Sequence, residues 1–264
     1  MTIRAAIPAA ITEQLALADP SWRPVLHAGL MAMMEMQPDY LPALAADQYL
    51  PTQGRMFAAF AQPLSGVRYV LIGEGPYPRE QSATGVCFMD GAVQSLWSEN
   101  GLSKQVNRAT SLRNFIKMLL VADGQLVSDN TGGEAMARIS AQARAIGAPW
   151  IQTLPQLQAN LTAQGFLLLN ATLVFRPHVP PVKEAKAWLP FLRTVLAGLC
   201  SPVQNKNQAL PTLVLWGKIA ASVQALESAT AFPQAVSEHP YNLSFIANRT
   251  MQNLFGPLRL LQKN

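Results

Sequence analysis

Four short apolar runs set among helix-patterned segments constrain the fold of this chain most. They are "RYVLIG" (68–73), "GVCFM" (85–89), "GFLLLN" (165–170) and "PTLVLWG" (211–217). Continuous apolar runs of this length suit strands covered on both faces, which is the condition of strands in parallel sheets. Helical patterns fall among them at "SLRNFIKMLLVA" (111–122), "WLPFLRTVLAGL" (188–199) and "IAASVQALESA" (219–229), and a last helix is expected over roughly 248–262. Upstream, residues 10–47 read as helical, with apolar spacing in "WRPVLHAGLMAMMEM" whose methionines suit core packing. A polar stretch, "DQYLPTQGR", and a helical turn or two in "MFAAFAQPL" lead into the first strand. The expected fold is a single α/β domain over residues 1–264 with a central, mostly parallel four-stranded sheet flanked by helices. Residues 1–21 form an N-terminal extension. No repeat or long linker divides the chain, and "SDNTGGEAMARISAQARAIG" (128–147) is the best candidate for an insertion.

Half of the 264 residues are hydrophobic and 13% are charged, as in a compact globular protein. No apolar run approaches the roughly eighteen residues of a membrane span. The apolar start "MTIRAAIPAAITEQ" is broken by Pro8 and Glu13, so no signal peptide is read. Cys87 and Cys200 read as buried free thiols without metal-ligand spacing. A cytoplasmic monomer with no metal or organic cofactor is expected. The net charge of +5 permits a polyanionic partner without requiring one, and there is no Lys/Arg run.

Ligands of such folds bind where loops leave the carboxyl ends of the strands. The polar residues there are Glu74, Asn170, Lys218 and His239. The first strand runs into "GEGPYPREQSATG", a glycine- and proline-rich loop whose Glu74 lies between Gly73 and Gly75. Taken singly, each residue has a plain reading. Asn170 suits a turn or helix cap, and Tyr77 a turn aromatic. Phe88 suits the core, His178 a solvated loop, and His27 the core face of a helix.

In order, "VLIGEGPYPREQSATGVCF", "ATSLRNFIKMLL", "GFLLLNATL", "LVLWGKIA" and "EHPYNLS" resemble the successive blocks of the uracil-DNA glycosylase family. The resemblance runs from about Trp22 onward. The family's first block reads Gly-Gln-Asp-Pro-Tyr-His; here it reads Gly73-Glu74-Gly75-Pro76-Tyr77-Pro78. Gly75 therefore stands where the family has its water-positioning aspartate. The resemblance implies that Tyr77 seals the pocket beside carbon 5 of the pyrimidine and that Phe88 stacks on the flipped base. It implies that Asn170 reads O4 and N3, and that His239 donates to O2. Leu243 matches the wedge that fills the duplex gap, and Ser111 and Ser244 match serines that pinch the DNA backbone. "GEGP" is also similar to the Gly-Glu-Ala-Pro block of a thermophile glycosylase branch, where a glutamate serves in place of the aspartate. That branch carries an iron–sulfur cluster, which the two cysteines here are too few to ligate.

These residue types suit the chemistry. Breaking an N-glycosidic bond develops a cationic sugar and an anionic base, so a carboxylate belongs near the sugar and a donor near the base oxygen. An amide held in one orientation matches uracil and mismatches cytosine. The base must leave the stack first, and an apolar wedge offsets part of that cost. Glu74 is the expected substitute acid in a DNA glycosylase acting on uracil or a related pyrimidine. Two other readings stay open: excision of bulky modified pyrimidines such as those of phage DNA, and a DNA-binding protein without activity.

Overall fold

The computed structural model describes residues 6–201 and 209–263, so residues 1–5 of the extension lie outside the described residues. In chain order the elements are α1 (Ala9–Thr12), α2 (Arg23–Met36), α3 (Tyr40–Ala45), β1 (Tyr69–Gly73), β2 (Trp97–Ser98) and β3 (Gly101–Leu102). Then come α4 (Lys104–Arg108), α5 (Thr110–Ala122), α6 (Gly133–Arg144), α7 (Leu154–Ala163), β4 (Phe166–Asn170) and α8 (Pro181–Cys200). The chain ends with β5 (Thr212–Trp216), α9 (Lys218–Gln224), β6 (Gln234–Ser237) and α10 (Arg249–Phe255).

The central sheet has four strands in the order β4-β1-β5-β6, and α-helices flank it. β1 and β4 pair in parallel, in register from Tyr69 opposite Phe166 to Gly73 opposite Asn170. All five β4 residues and the centre of β1 are buried, as strands covered on both faces require. Three of the four expected strands are therefore present. The fourth, "GVCFM", is a loop. It is largely buried, and the Cys87 N–H donates to the Leu168 carbonyl of β4 at 3.0 Å. Gly85 and Phe88 both hold positive φ, which no regular strand accommodates. Its apolar composition reported burial rather than pairing. The strand that takes its place, β6, buries only Ala235 and so lacks an apolar run.

The expected last helix is shorter than 248–262. α10 ends at Phe255, a 3-10 turn over Gly256–Leu258 contains Pro257, and Arg259 takes φ 46°, which stops helical propagation. The 219–229 pattern likewise divides into α9 and a 3-10 turn, Glu227–Ala229. Of the methionine-rich stretch, Met33 and Met34 are buried while Met36 is exposed. His27 is exposed, so its core-like spacing misled.

The chain divides into two compact units. One comprises Met1–Asp90, Phe166–Leu213 and Ser222–Pro233; the other Gly91–Gly165, Val214–Ala221 and Gln234–Asn264. In the first, α2 packs along α8 over an aromatic cluster that includes Trp22, Phe57, Phe60, Trp188 and Phe191. Ile11 of the extension is fully buried there. In the second, α5 packs against the 3-10 turn Leu243–Ala247 and against α10. The 128–147 stretch carries α6, which packs on the β2–β3 hairpin, with Met136 beside Gly101 and the Ser140 hydroxyl donating to the Ser98 carbonyl.

Candidate active site

In the first unit, the β1–β4 register sets the site. Gly73 and Asn170 are partners at the carboxyl ends of neighbouring strands, so the loop after β1 and the end of β4 leave the sheet side by side. Asn170 is the last residue of β4, not a turn or a cap, and only 5% of it is exposed. Its side-chain amide has no hydrogen-bond partner among the described residues. Its polar atoms are not among the buried, unpartnered ones, so the amide edge is open to solvent and to a ligand.

The loop after β1 is pinned by its neighbour in β4's continuation. The Glu74 carbonyl accepts from the Thr172 N–H at 3.1 Å and from the Thr172 hydroxyl at 3.0 Å. The same hydroxyl explains Gly75: a Cβ there would lie 2.5 Å from Thr172 Oγ1. The position that carries an aspartate in the resembling family has no room for a side chain as this loop is built. The Glu74 side chain is exposed, and its carboxylate has no hydrogen bond or ion pair among the described residues.

Tyr77 and Phe88 flank this loop's course. Tyr77 is half-buried; burial, aided by nearby Cys87 and Asp90 and opposed by Arg79, pushes its phenol well above the ordinary value. It is therefore a neutral ring across the physiological range. Phe88 is half-buried at φ 67°, a conformation bulky residues adopt only when their surroundings impose it. Next to it, Cys87 is buried with its Sγ against Gly73, and burial pushes the thiol up to about 12, partly opposed by a hydrogen bond from the Gly73 backbone. It is thus a packing thiol, inert as a nucleophile at neutral pH.

The second unit carries His239, Leu243, Ser244 and Ser111. Gly217 follows β5 at φ 66°, and a Cβ on it would meet His239 Cβ at 2.8 Å. That close approach lets the Gly217 N–H donate to the Ser237 carbonyl at 2.9 Å and aims the chain into the His239 turn. The Tyr241 N–H donates to His239 Nδ1 at 3.1 Å. Nδ1 is then an acceptor, so the neutral ring carries its proton on Nε2, where it can be donated. Leu243 is 69% exposed at the start of its 3-10 turn. Ser111 is half-buried in the first turn of α5.

Ser244 is exposed, and its hydroxyl bonds the Glu238 carboxylate. Burial works against the Glu238 charge, but Ser244, the residue's own backbone and Asn248 together hold its carboxyl below the usual range.

Two positioning residues escaped the sequence reading. Thr172 is one. The other is Asn114 of α5, fully buried, whose Nδ2 donates to the Pro240 carbonyl at 2.7 Å with longer approaches to Tyr241 O at 3.3 Å and Asn242 O at 3.4 Å. It clamps the turn that carries His239 and Leu243. The available signal was an amide between Leu112 and Phe115, Ile116 on the apolar stripe of a helix. Lys218, at the start of α9, is exposed, as is His178, which pairs with Asp47 at 2.9 Å. Among the described residues, no group of three or more His, Cys, Asp or Glu is placed to hold a metal ion. No described helix is long and apolar enough to cross a membrane.

No family model matches the sequence. The wild-type UNG crystal structure from Nitratifractor salsuginis is 40% identical, with a TM-score of 0.85, over 96% of this chain and 97% of that one. The uracil-DNA glycosylase of Corynebacterium glutamicum is 28% identical over 227 residues, 85% of this chain and 80% of the relative. That of Mycolicibacterium vanbaalenii is 26% identical over 232 residues, covering 86% and 83%. The mimivirus uracil-DNA glycosylase, at 16% identity and a TM-score of 0.52, shares the fold.

Proposed function

The chain belongs to the uracil-DNA glycosylase superfamily, and we propose that it removes uracil from DNA by hydrolysis, with Glu74 as the carboxylate that serves the sugar. The observation that carries this reading is the loop after β1. Thr172 pins the Glu74 carbonyl by two hydrogen bonds and fills the space at Gly75, while the Glu74 carboxylate is left exposed and unpartnered among the described residues. The loop keeps an acid at Glu74 and has no room for one at the next position.

The remaining roles follow from chemistry. Water attacks the anomeric carbon as the glycosidic bond lengthens. Glu74 orients that water and offsets positive charge on the sugar ring. His239 donates from Nε2 to O2 as the base departs with negative charge; a neutral donor suffices and keeps its proton. Asn170 donates to O4 and accepts from N3–H, with an amide that no described residue engages. Phe88 offers its ring to the flipped base. Tyr77 closes the side where a 5-substituent would sit, which favours uracil over bulky pyrimidines. Leu243 fills the gap in the duplex, and Ser111 and Ser244 serve the flanking phosphates. The protein works as a cytoplasmic monomer on DNA.

The test is single-turnover release of uracil, compared with other bases, by the wild-type protein and by Glu74→Gln. This change removes charge but little volume. Wild type should release uracil, and Glu74→Gln should lose most of the rate while still binding DNA. An unchanged rate removes Glu74 from the reaction. Release confined to pyrimidines with large 5-substituents would overturn the role of Tyr77, and no release of any base would leave a binding protein.

A further inference from the structure

The turn clamped by Asn114 presents two exposed apolar side chains, not one. Leu243 is the expected wedge. Tyr241, two residues earlier, is 68% exposed. Its ring and hydroxyl have no aromatic, cation or hydrogen-bond partner among the described residues. Its backbone, by contrast, is held on both sides. The N–H donates to His239 Nδ1 at 3.1 Å, and the carbonyl faces Asn114 Nδ2 at 3.3 Å. Asn242, which follows, is tied back to the His239 carbonyl by its own N–H at 2.9 Å and its side-chain amide at 3.2 Å. A bare aromatic ring is thus carried on backbone fixed by the same contacts that fix His239.

From this we infer that Tyr241 is a base-stacking residue, which covers a nucleobase next to the flipped nucleotide in single and double strands alike. The inference rests on the glycosylase reading for its choice of partner. Every base has a π-face, so one aromatic serves any flanking sequence. Flipping a nucleotide strips its neighbours of a stacking partner, and a ring on the wedge-bearing turn replaces that contact. Leu243 matters where a duplex gap must be filled, whereas a stacking ring matters wherever a base adjoins the uracil.

The probe is an oligonucleotide carrying 2′-fluorodeoxyuridine, whose glycosidic bond resists hydrolysis because fluorine destabilises the cationic sugar. 2-Aminopurine is placed on its 5′ or its 3′ side, and the strand is used alone or in duplex. Stacking quenches 2-aminopurine emission. Tyr241→Ala should weaken binding about 5- to 150-fold to both forms, the range that one base–aromatic stack supplies. On one side of the uracil it should also leave the emission brighter than in the wild-type complex. Tyr241→Phe should bind and quench like wild type, because the ring does the work. Leu243→Ala should weaken the duplex complex selectively.

The residue is exposed, so its removal should not shift thermal unfolding. Equal binding and equal emission for Tyr241→Ala and wild type would overturn the inference, including the case in which the ring serves a protein partner. Should the wild type release no uracil from a cleavable strand, the glycosylase reading fails by itself, and the quenching still decides for or against Tyr241.

Discussion

Asn114→Ala tests how much of the chemistry depends on a residue with no expected contact to DNA. The side chain is fully buried, and its firm bond is the one to Pro240 O at 2.7 Å. Pro240 is itself buried, so its carbonyl loses its donor without gaining water. Tyr241 and Asn242 are exposed, and water can replace the longer approaches to their carbonyls. One orphaned buried acceptor costs about 1–3 kcal/mol. In a chain of this size that is a fall in melting temperature of roughly 2–4 °C per kcal/mol. The turn would also lose its anchor to α5, so His239 and Leu243 would spend less time in productive geometry.

Single-turnover uracil release, well below the melting temperature, should then fall by at least about tenfold, equivalent to ~1.4 kcal/mol of lost transition-state stabilisation. Single and double strands should suffer alike, because the proposed donation from His239 to the leaving base is needed in both. Asn114→Asp should be worse at neutral pH, since it turns a donor into a charge facing carbonyl oxygens. The control is Ile116→Ala on the same helix, a core truncation costing about 2–5 kcal/mol, which should leave the rate below its melting temperature unchanged. If Asn114→Ala melts lower yet releases uracil at the wild-type rate, the clamp is scaffold only and its positioning role is refuted.

Four further outcomes are expected. Asn170→Asp should slow uracil release and shift relative preference toward cytosine, because a carboxyl accepts from the cytosine amino group; an unmoved uracil-to-cytosine rate ratio would remove Asn170 as the reader. Leu243→Ala should lower the double-to-single-strand rate ratio, and a ratio equal to wild type would end the wedge assignment. Gly75→Asp in a Glu74→Gln background should stay inactive, since its Cβ meets Thr172 Oγ1 at 2.5 Å, and adding Thr172→Ala should recover part of the rate. Recovery without the second change would show that Thr172 does not shape the loop. Asp123, at the C-terminal end of α5, has its carboxyl raised to about 6 by burial, partly opposed by Arg259. Ionising it costs more in the folded state, so its burden is absent below the ordinary carboxylate range and grows as pH rises through about 6. Asp123→Asn should therefore stabilise by ~1 kcal/mol at pH 8, allowing for solvent screening of a half-exposed group, and by almost nothing at pH 4. Urea unfolding at the two pH values checks the difference.

Much of this protein can be read in one dimension. The runs "VLIG", "FLLLN" and "TLVLW" are apolar because both faces of their strands are covered, and local composition records that directly. Block order and the residues at strand ends point to the same chemistry, since catalytic groups must sit where loops leave the sheet. The misses share a cause. "GVCFM" is as apolar as a strand because it is buried, but Gly85 and Phe88 hold positive φ, and at Gly85 the distant Arg55 carbonyl leaves no room for a side chain. β6 pairs through its backbone, which carries no side-chain signature. Pro257 marked the end of the last helix, but the apolar residues beyond it concealed the stop. Thr172 and Asn114 act across 98 and 126 residues of chain, as hydrogen bonds to carbonyls that every residue possesses. Sequence therefore supplied the side chains proposed for the chemistry. Only the tertiary structure decided that Gly75 has no room for an acid, and that a buried asparagine holds the turn of His239. Those outcomes depend on distances between backbone atoms, and no pattern of neighbouring side chains encodes them.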